Sequence, residues 1–316
     1  MMIILGIETT AHTFGIGIIT SEGKVLANIR DSYSSLEGMI PDKVAEHHEK
    51  VAEIVLTQAL ATAKVTWVDI GFIAYSAGPG LDPTLWAGYR KVKEWSKTYG
   101  KKIVGVNHPA AHLSIGRMWN KLSDPIYLYV SGVNTQIIIQ QNGKYRVLGE
   151  TLDIGLGNML DKLGRILSLG FPAGPKIEEL AKNGKYVELP YVVKGMDVSF
   201  SGILTKAQQL WERKQVTTEE LCFSIQETCF AMLAEVAERA LAHTEKTELL
   251  LVGGVGANER FGEMLTIMCK ERGATFHKVP PDLAGDNGAM IAGEGYLKKD
   301  ESRDIGIKPH WRVDEV

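Results

Sequence analysis

The chain has 316 residues, 45% of them hydrophobic and 23% charged, with 35 Lys and Arg against 38 Asp and Glu and a formal net charge of −3. That is a globular composition with ample apolar material for one large or two medium domains, and it excludes a disordered or collagen-like chain. The balance carries no overall electrostatic footprint for nucleic acid, so a contact with RNA needs a local basic patch or a partner that supplies one.

The first stretch, MMIILGIETTAHTFG, is apolar but short. It has no basic n-region and no small-residue cleavage site, so it predicts a buried strand rather than a signal peptide. No apolar run approaches membrane-spanning length. Residues 3–26 read IILGIETTAHTFGIGIITSEGKVL and residues 126–148 read IYLYVSGVNTQIIIQQNGKYRVL. Each is an apolar strand, a small polar turn, a second strand, a Gly-Lys turn (Gly23-Lys24, Gly143-Lys144) and a third strand start. Matching turns in both copies favour a duplicated β-meander and two related halves.

Between the copies, IPDKVAEHHEKVAEIVLTQALATAK predicts a helix, with Pro41 at its start and apolar Val44, Val51, Ile54 and Val55. His47 and His48 are read as a solvated or partly packed face of it. VDIGFIAYSAGPG is a buried strand ending in a glycine turn. PTLWAGYRKVKEWSKTYGKK is helical, and its basic residues between 90 and 102 are expected on a solvated face. KIVGVN is a further buried strand. The pattern breaks at NKLSDP, which puts the boundary between halves near 115–124. Helical segments follow around 158–170 and 175–184, then a dense apolar core helix, TEELCFSIQETCFAMLAEVAERALAHT. ELLLVGGVGANERF is a strand, a glycine-rich turn and a helix start. Strands alternating with helices predict an α/β architecture. The three cysteines, Cys222, Cys229 and Cys269, have no paired spacing, which argues against disulfides and a cysteine zinc site and fits a reducing, cytoplasmic setting.

Three kinds of motif carry chemistry. In VNHPAAH, Asn107 is a helix cap and Pro109 suits the first turn, which puts His108 and His112 on one face, one turn apart. Such a pair can chelate a divalent ion, though histidines at this spacing also occur as ordinary packed residues. Pro109 stands where a zinc protease of the H-E-x-x-H type has its glutamate, so the protease reading lacks its general base. SAGPG (76–80), SGVNT (131–135) and VGGVGAN (252–258) are glycine turns after strands, able to present backbone amides to phosphate. Together they suggest a nucleotide in a cleft between the halves. In LAGDNGAM (283–290), Asp286 either caps the following helix or joins the histidines as a carboxylate ligand.

IETTAHTFGIG, AEHHEK, GPGL, NHPAAH, LYVSGVNTQ, GETLDIGLGN, SFSGILT, SIQETCFAML, LVGGVGAN, DNGAM and WRVDEV occur in order across essentially the whole chain. In these motifs the sequence closely resembles the archaeal and eukaryotic KEOPS catalytic subunit, the TsaD-type tRNA threonylcarbamoyladenosine transferase family. The resemblance implies an actin-like, heat-shock-chaperone-like ATPase fold with two related subdomains and a nucleotide and metal cleft between them. The subdomains would run over 1–118 and 119–299, with a tail of about 300–316 packed back on the first. It implies a metal-dependent acyltransferase that moves threonylcarbamoyl from threonylcarbamoyl-AMP to the exocyclic amine of the adenosine 3′ of the anticodon, in tRNAs that decode codons beginning with A.

Carried over position by position, the resemblance implies one iron or zinc ion held by His108, His112, Tyr129 and Asp286, with Glu8 facing the cleft and counted with His108 and His112 as catalytic. An ATP- or AMP-type nucleotide would meet Tyr129, Val130, Ser131, Gly132, Val133, Gly174 and Asn258, with Asp161 and Glu178 near the ribose. The implied partners are tRNA, a kinase-like protein on a separate chain, and a small dimerising subunit on the helices around 40–62 and 84–100, where Trp86 and Trp95 are either interface or core. No membrane is implied. The chain departs from the family pattern at Val133 (usually Gly), Ala173 (usually Gly), Asp82 (usually Gly) and Trp86 (usually Arg). Valine resists positive φ and narrows close approach to a ligand. Two alternatives therefore stand beside the transferase. One is a non-catalytic, nucleotide-binding scaffold of the same fold. The other is a small-molecule kinase, which has no use for a paired-histidine metal.

Overall fold

Short apolar, β-branched runs in the first residues make a meander of β1 (Ile3–Glu8), β2 (Thr13–Thr20) and β3 (Val25–Ser32) in the computed structural model, which describes residues 1–35, 39–301 and 304–316. α1 (Pro41–Ala63), β4 (Ile70–Gly78), α2 (Asp82–Tyr99), β5 (Lys102–Asn107) and α3 (His108–Asn120) follow. The sheet order is β3-β2-β1-β4-β5, antiparallel through the meander and parallel from β1 onward.

The second meander is β6 (Ile126–Val130), β7 (Thr135–Gln141) and β8 (Lys144–Glu150). Then come α4 (Leu156–Ile166), α5 (Gly174–Ala181), the two-residue strands β9 (Val193–Lys194) and β10 (Asp197–Val198), α6 (Ser201–Glu212), α7 (Thr218–Thr244), β11 (Glu248–Val252), α8 (Glu259–Arg272), β12 (Thr275–Lys278), α9 (Pro281–Ala284) and α10 (Gly288–Leu297). The second sheet reads β8-β7-β6-β11-β12, again antiparallel in the meander and parallel beyond it. Two details repeat as well. The register of the second strand on the third slips at Ile18/Ile19 and at Ile137/Ile138. Gly23 and Gly143 take φ of 83° and 77° in the tight turns, a conformation that favours glycine. The duplication expected from the two meanders thus extends to whole five-stranded sheets.

The chain divides into two compact units, 1–121 with 286–316, and 122–285. Each has its own core. In the first, Leu5, Ile7, Phe14, Ile73 and Trp95 cluster under α1 and α2. In the second, β6, β7 and β11 pack on α4, α5 and the long α7, whose capping box joins Thr217 and Glu220. This grouping differs from a second subdomain running to 299, because the chain returns to the first unit at Asp286. α10 lies along β1 and β2 and beside α3. A Cβ on Gly6 would sit 2.2 Å from the Gly288 carbonyl oxygen, and one on Gly17 2.0 Å from the Ala289 nitrogen. Only a sheet face stripped of side chains admits a helix so close.

The readings left open on α1 and α2 resolve by contact. His48 takes the packed side: it is buried, its Nε2 meets the Ala11 carbonyl at 2.9 Å and its ring stands edge-on to Phe14. Of the two tryptophans held between interface and core, Trp95 is core, donating to Glu53 Oε1 at 3.1 Å, whereas Trp86 is 47% exposed. The basic face of α2 is indeed solvated and ion-paired, with Arg90 on Glu49 and Lys93 on Asp304. No helix among the described residues is long and apolar enough to cross a membrane.

Candidate functional site

In the first unit, the parallel strands β1, β4 and β5 deliver their carboxyl ends to one edge of the sheet, the usual place for ligands in α/β folds. β1 ends on Glu8, and β5 runs directly into α3, so His108 is the first helical residue and His112 stands one turn on. Asn107 caps the helix by accepting from the Ala110 amide at 3.0 Å, as its position in the sequence predicts. Asp286 arrives from the other end of the chain. The cap of α10 is Asn287, which accepts from the Met290 amide at 3.0 Å, so Asp286 is released from that duty.

The result is a buried cluster. His112 Nε2 is 3.2 Å and His108 Nε2 3.5 Å from Asp286 Oδ1, and the three donor atoms lie within 4.8 Å of one another. Bonds of about 2.0–2.2 Å to one tetrahedral ion would set neighbouring ligand atoms about 3.3–3.6 Å apart, so the three groups fit a divalent metal with little movement. Behind His108, its Nδ1 meets Glu8 Oε2 at 2.8 Å. The other Glu8 oxygen accepts from the Thr10 amide at 2.6 Å and its hydroxyl at 2.5 Å. Glu8 is wholly buried, so it does not face an open cleft; it orients the imidazole and fixes Nε2 as the free donor, the carboxylate–histidine arrangement found behind metal ligands. Thr10 is a member of the cluster that no motif marks: its only signal in the sequence is a hydroxyl two residues beyond Glu8.

The electrostatics agree with this geometry. Burial works against charge on His108, but the carboxylates of Glu8 and Asp286 outweigh it and push the imidazole up to about 9. At His112, burial prevails over the hydrogen bond to Asp286 and holds the ring below the ordinary imidazole value. Burial also penalises the Asp286 carboxylate, yet the adjoining histidines keep it far below the ordinary carboxylate range. A metal at this point would replace the proton that His108 otherwise holds.

The residues expected around a nucleotide all lie in the second unit, where β6 and β11 end side by side. Val130 is the last residue of β6 and is buried; Ser131, Gly132 and Val133 form the turn into β7. α4 is drawn tight against that turn: the Gly157 and Asn158 amides donate to Ser131 and Gly132 carbonyls at 3.1 and 2.8 Å, and a Cβ on Gly155 would lie 2.1 Å from the Val133 oxygen. Among the described residues, neither the Gly132 nor the Val133 amide donates to a protein acceptor. Val133 is 68% exposed and does not take positive φ, so the expected backbone strain is absent and valine is tolerated. Asp161 Oδ1 accepts from the Ala173 amide at 2.9 Å, and Glu178 Oε1 from the Glu259 amide at 2.7 Å. Packing does not require glycine at 174, where a Cβ would meet nothing within 4 Å. Asn258 caps α8 and donates to Gln226 Oε1 at 2.9 Å. Ala173 packs on Gly164 in the core. Tyr129 also belongs to this unit, buried on the β6 face opposite Leu128 and Val130.

The third glycine turn is not a phosphate cradle. In SAGPG the Gly80 amide donates to Pro309, the Leu81 amide to Thr10, and a Cβ on Gly78 would strike the Lys308 oxygen at 1.9 Å. Protein backbone fills the space that a nucleotide would need.

Comparison with known proteins adds identity to this geometry. The family described as "TsaD: tRNA N6-adenosine threonylcarbamoyltransferase" matches residues 23–293. A tRNA N6-adenosine threonylcarbamoyltransferase of Thermococcus sibiricus is 53% identical over 322 residues, covering 100% of this chain and 99% of that protein. A probable bifunctional tRNA threonylcarbamoyladenosine biosynthesis protein of Methanosarcina barkeri is 48% identical, covering 99% of this chain but only 59% of the relative. Among solved structures, HypF of T. kodakarensis aligns over 93% of this chain and 47% of its own with a TM-score of 0.61 and 15% identity, a likeness of fold alone. The paired five-stranded sheets accordingly belong to the actin-like ATPase fold class.

Proposed function

This chain belongs to the tRNA N6-adenosine threonylcarbamoyltransferase family, and from that premise we propose that it is the transferase itself, carrying a threonylcarbamoyl group from threonylcarbamoyl-AMP to the N6 amine of the adenosine 3′ of the anticodon in tRNAs reading codons that begin with A. In that reaction the amine nitrogen bonds to the carbamoyl carbon, the bond from that carbon to the adenylate oxygen breaks, AMP departs and the amine loses a proton. The observation that carries the proposal is the buried cluster of His108, His112 and Asp286 with Glu8 behind it, in a chain that belongs to this family.

When bound there, iron or zinc would supply positive charge that stabilises negative charge developing on the donor. His108, His112 and Asp286 are the proposed ligands, and Tyr129 stays in the proposed set on the family resemblance alone. Glu8 holds His108 in one tautomer, so it is a positioning residue. For the donor, we propose the turn 131–133. Its Gly132 and Val133 amides suit a phosphate or carbonyl oxygen, and Val130 forms its buried root. Asp161 and Glu178 are proposed as acceptors for ribose hydroxyls, with Gly174 and Asn258 lining the same pocket. The partners proposed are tRNA, a kinase-like protein on its own chain and a small dimerising subunit at α1 and α2. The name of the Methanosarcina barkeri relative, a probable bifunctional tRNA threonylcarbamoyladenosine biosynthesis protein, supports a second activity working beside this one. A cytoplasmic setting is proposed with them.

The test is a transfer assay with purified protein, threonylcarbamoyl-adenylate, the tRNA, iron or zinc, and the partner subunits. Modified tRNA is expected from the native chain and none from His108→Ala. Absence of product from folded, metal-loaded native protein with working partners would turn the assignment to the non-catalytic scaffold.

A further inference from the structure

The segment 304–316 crosses the same sheet edge on which the histidine helix begins. Tyr89, Lys93 and Tyr75 hold Asp304 at one end, with Tyr89 Oη and Lys93 Nζ both at 2.6 Å. Ile305 lies over Gly105, where a Cβ would come within 2.5 Å of its side chain. The Lys308 amide then donates to the Ala77 carbonyl at 2.6 Å, and the Gly80 amide to Pro309 at 3.1 Å. Glycines at 78 and 105 thus open a track across β4 and β5 in which the segment lies flush. Trp311 packs against the first core and Val313 is 2% exposed.

The track leads to Asn107. Its side chain faces two ways. Oδ1 caps α3, while Nδ2 donates to the carbonyls of Trp311 and Arg312 at 3.1 and 3.4 Å. Asn107 is 2% exposed, so these bonds form away from competing water. One amide therefore ties the segment to the residue immediately before His108. Capping alone is served equally by serine or aspartate; the donor to residues 311 and 312 requires asparagine.

We propose that residues 304–313 are a positioning element for the metal-ligating helix, and that Asn107 is the residue through which they aim His108. The inference rests on the metal reading of the cluster. Ligand aim matters because groups hydrogen-bonded to a metal ligand typically change affinity about 10- to 100-fold, and Asn107, which acts through the start of the helix that carries His108, is expected at the lower end.

The experiment compares Asn107→Ser, which keeps a cap, with a chain ending after His310, which removes the carbonyls that Asn107 holds, and with the two combined. Zinc and ferrous affinity are measured by chelator competition, and hydrogen exchange in 108–112 is followed without metal, with α1 as the internal reference. Each change is expected to weaken metal binding about tenfold or more. The combination is expected to do no worse than the stronger single change, because both break one link. Exchange in 108–112 should rise while α1 stays protected. Unchanged affinity and exchange in folded Asn107→Ser, or losses that simply add, would overturn the proposal. If native protein binds no metal but exchange in 108–112 still responds, the metal reading fails and the aiming role fails with it, while the mechanical link remains.

Discussion

The two units are built from one sheet plan and differ in what stands on it. Gly6 is the fourth residue of the first meander and Tyr129 the fourth of the second; they pair with Gly17 and Gln136 respectively. Bare glycines let α10 settle onto the first sheet, which brings Asp286 to the histidines. The sixth residues diverge in the same way: Glu8 backs His108, whereas Ser131 opens a glycine turn. The comparison teaches that the strand order is indifferent to chemistry, and that a few side chains at the carboxyl ends decide whether an edge offers ligands or amides.

The sharpest way to break the comparison is Gly17→Val. The added side chain would enter the backbone of α10, and a destabilisation of about 3–5 kcal/mol is expected, read as a fall in urea midpoint. At the matching place, Gln136→Ala removes a 2.9 Å bond to Glu150 and should cost about 1–2 kcal/mol. Equal losses would show that α10 does not depend on the bare face.

Acid sensitivity should also separate the units. Burial, and the neighbouring His47, push His48 in the first unit down to about 4. Its folded value lies below the unfolded value of 6.5, so the fold favours neutral His48 fully above about pH 6.5 and loses stability as pH falls towards 4. The expected loss is up to about 3 kcal/mol across that window. Denaturation of the native chain and His48→Gln at pH 7 and pH 5 checks it: the variant should be flatter with pH, and parallel curves would remove His48 as the cause.

Glu8→Gln against Ser131→Ala tests the sixth positions. The first is expected to weaken zinc affinity about 10- to 100-fold, and the second to leave it unchanged, by chelator competition. The smallest effect concerns Val133→Gly. Because Val133 is exposed and free of positive φ, glycine should lower stability by under about 1 kcal/mol, through the unfolded chain. A gain in stability would mean that valine is strained after all.

The sequence by itself determined the local structure and the candidates. Apolar runs and matched Gly-Lys turns gave both meanders, Asn107 and Pro109 announced the start of α3, and four-residue spacing put His108 and His112 on one face, because these signals lie within a few bonds of each other. The ordered motifs named the family. Tertiary structure alone decided the rest. Asp286 joins His112, 174 positions away, only because glycines at 6 and 17 admit α10. The GPG turn is taken up by the 304–316 segment rather than by phosphate, and His48 is buried where α1 packs on the first meander, against Ala11 and Phe14, which no helix pattern announces. Burial, and which of two possible roles a carboxylate takes, depend on contacts between distant segments, and a single sequence records those segments without recording that they meet.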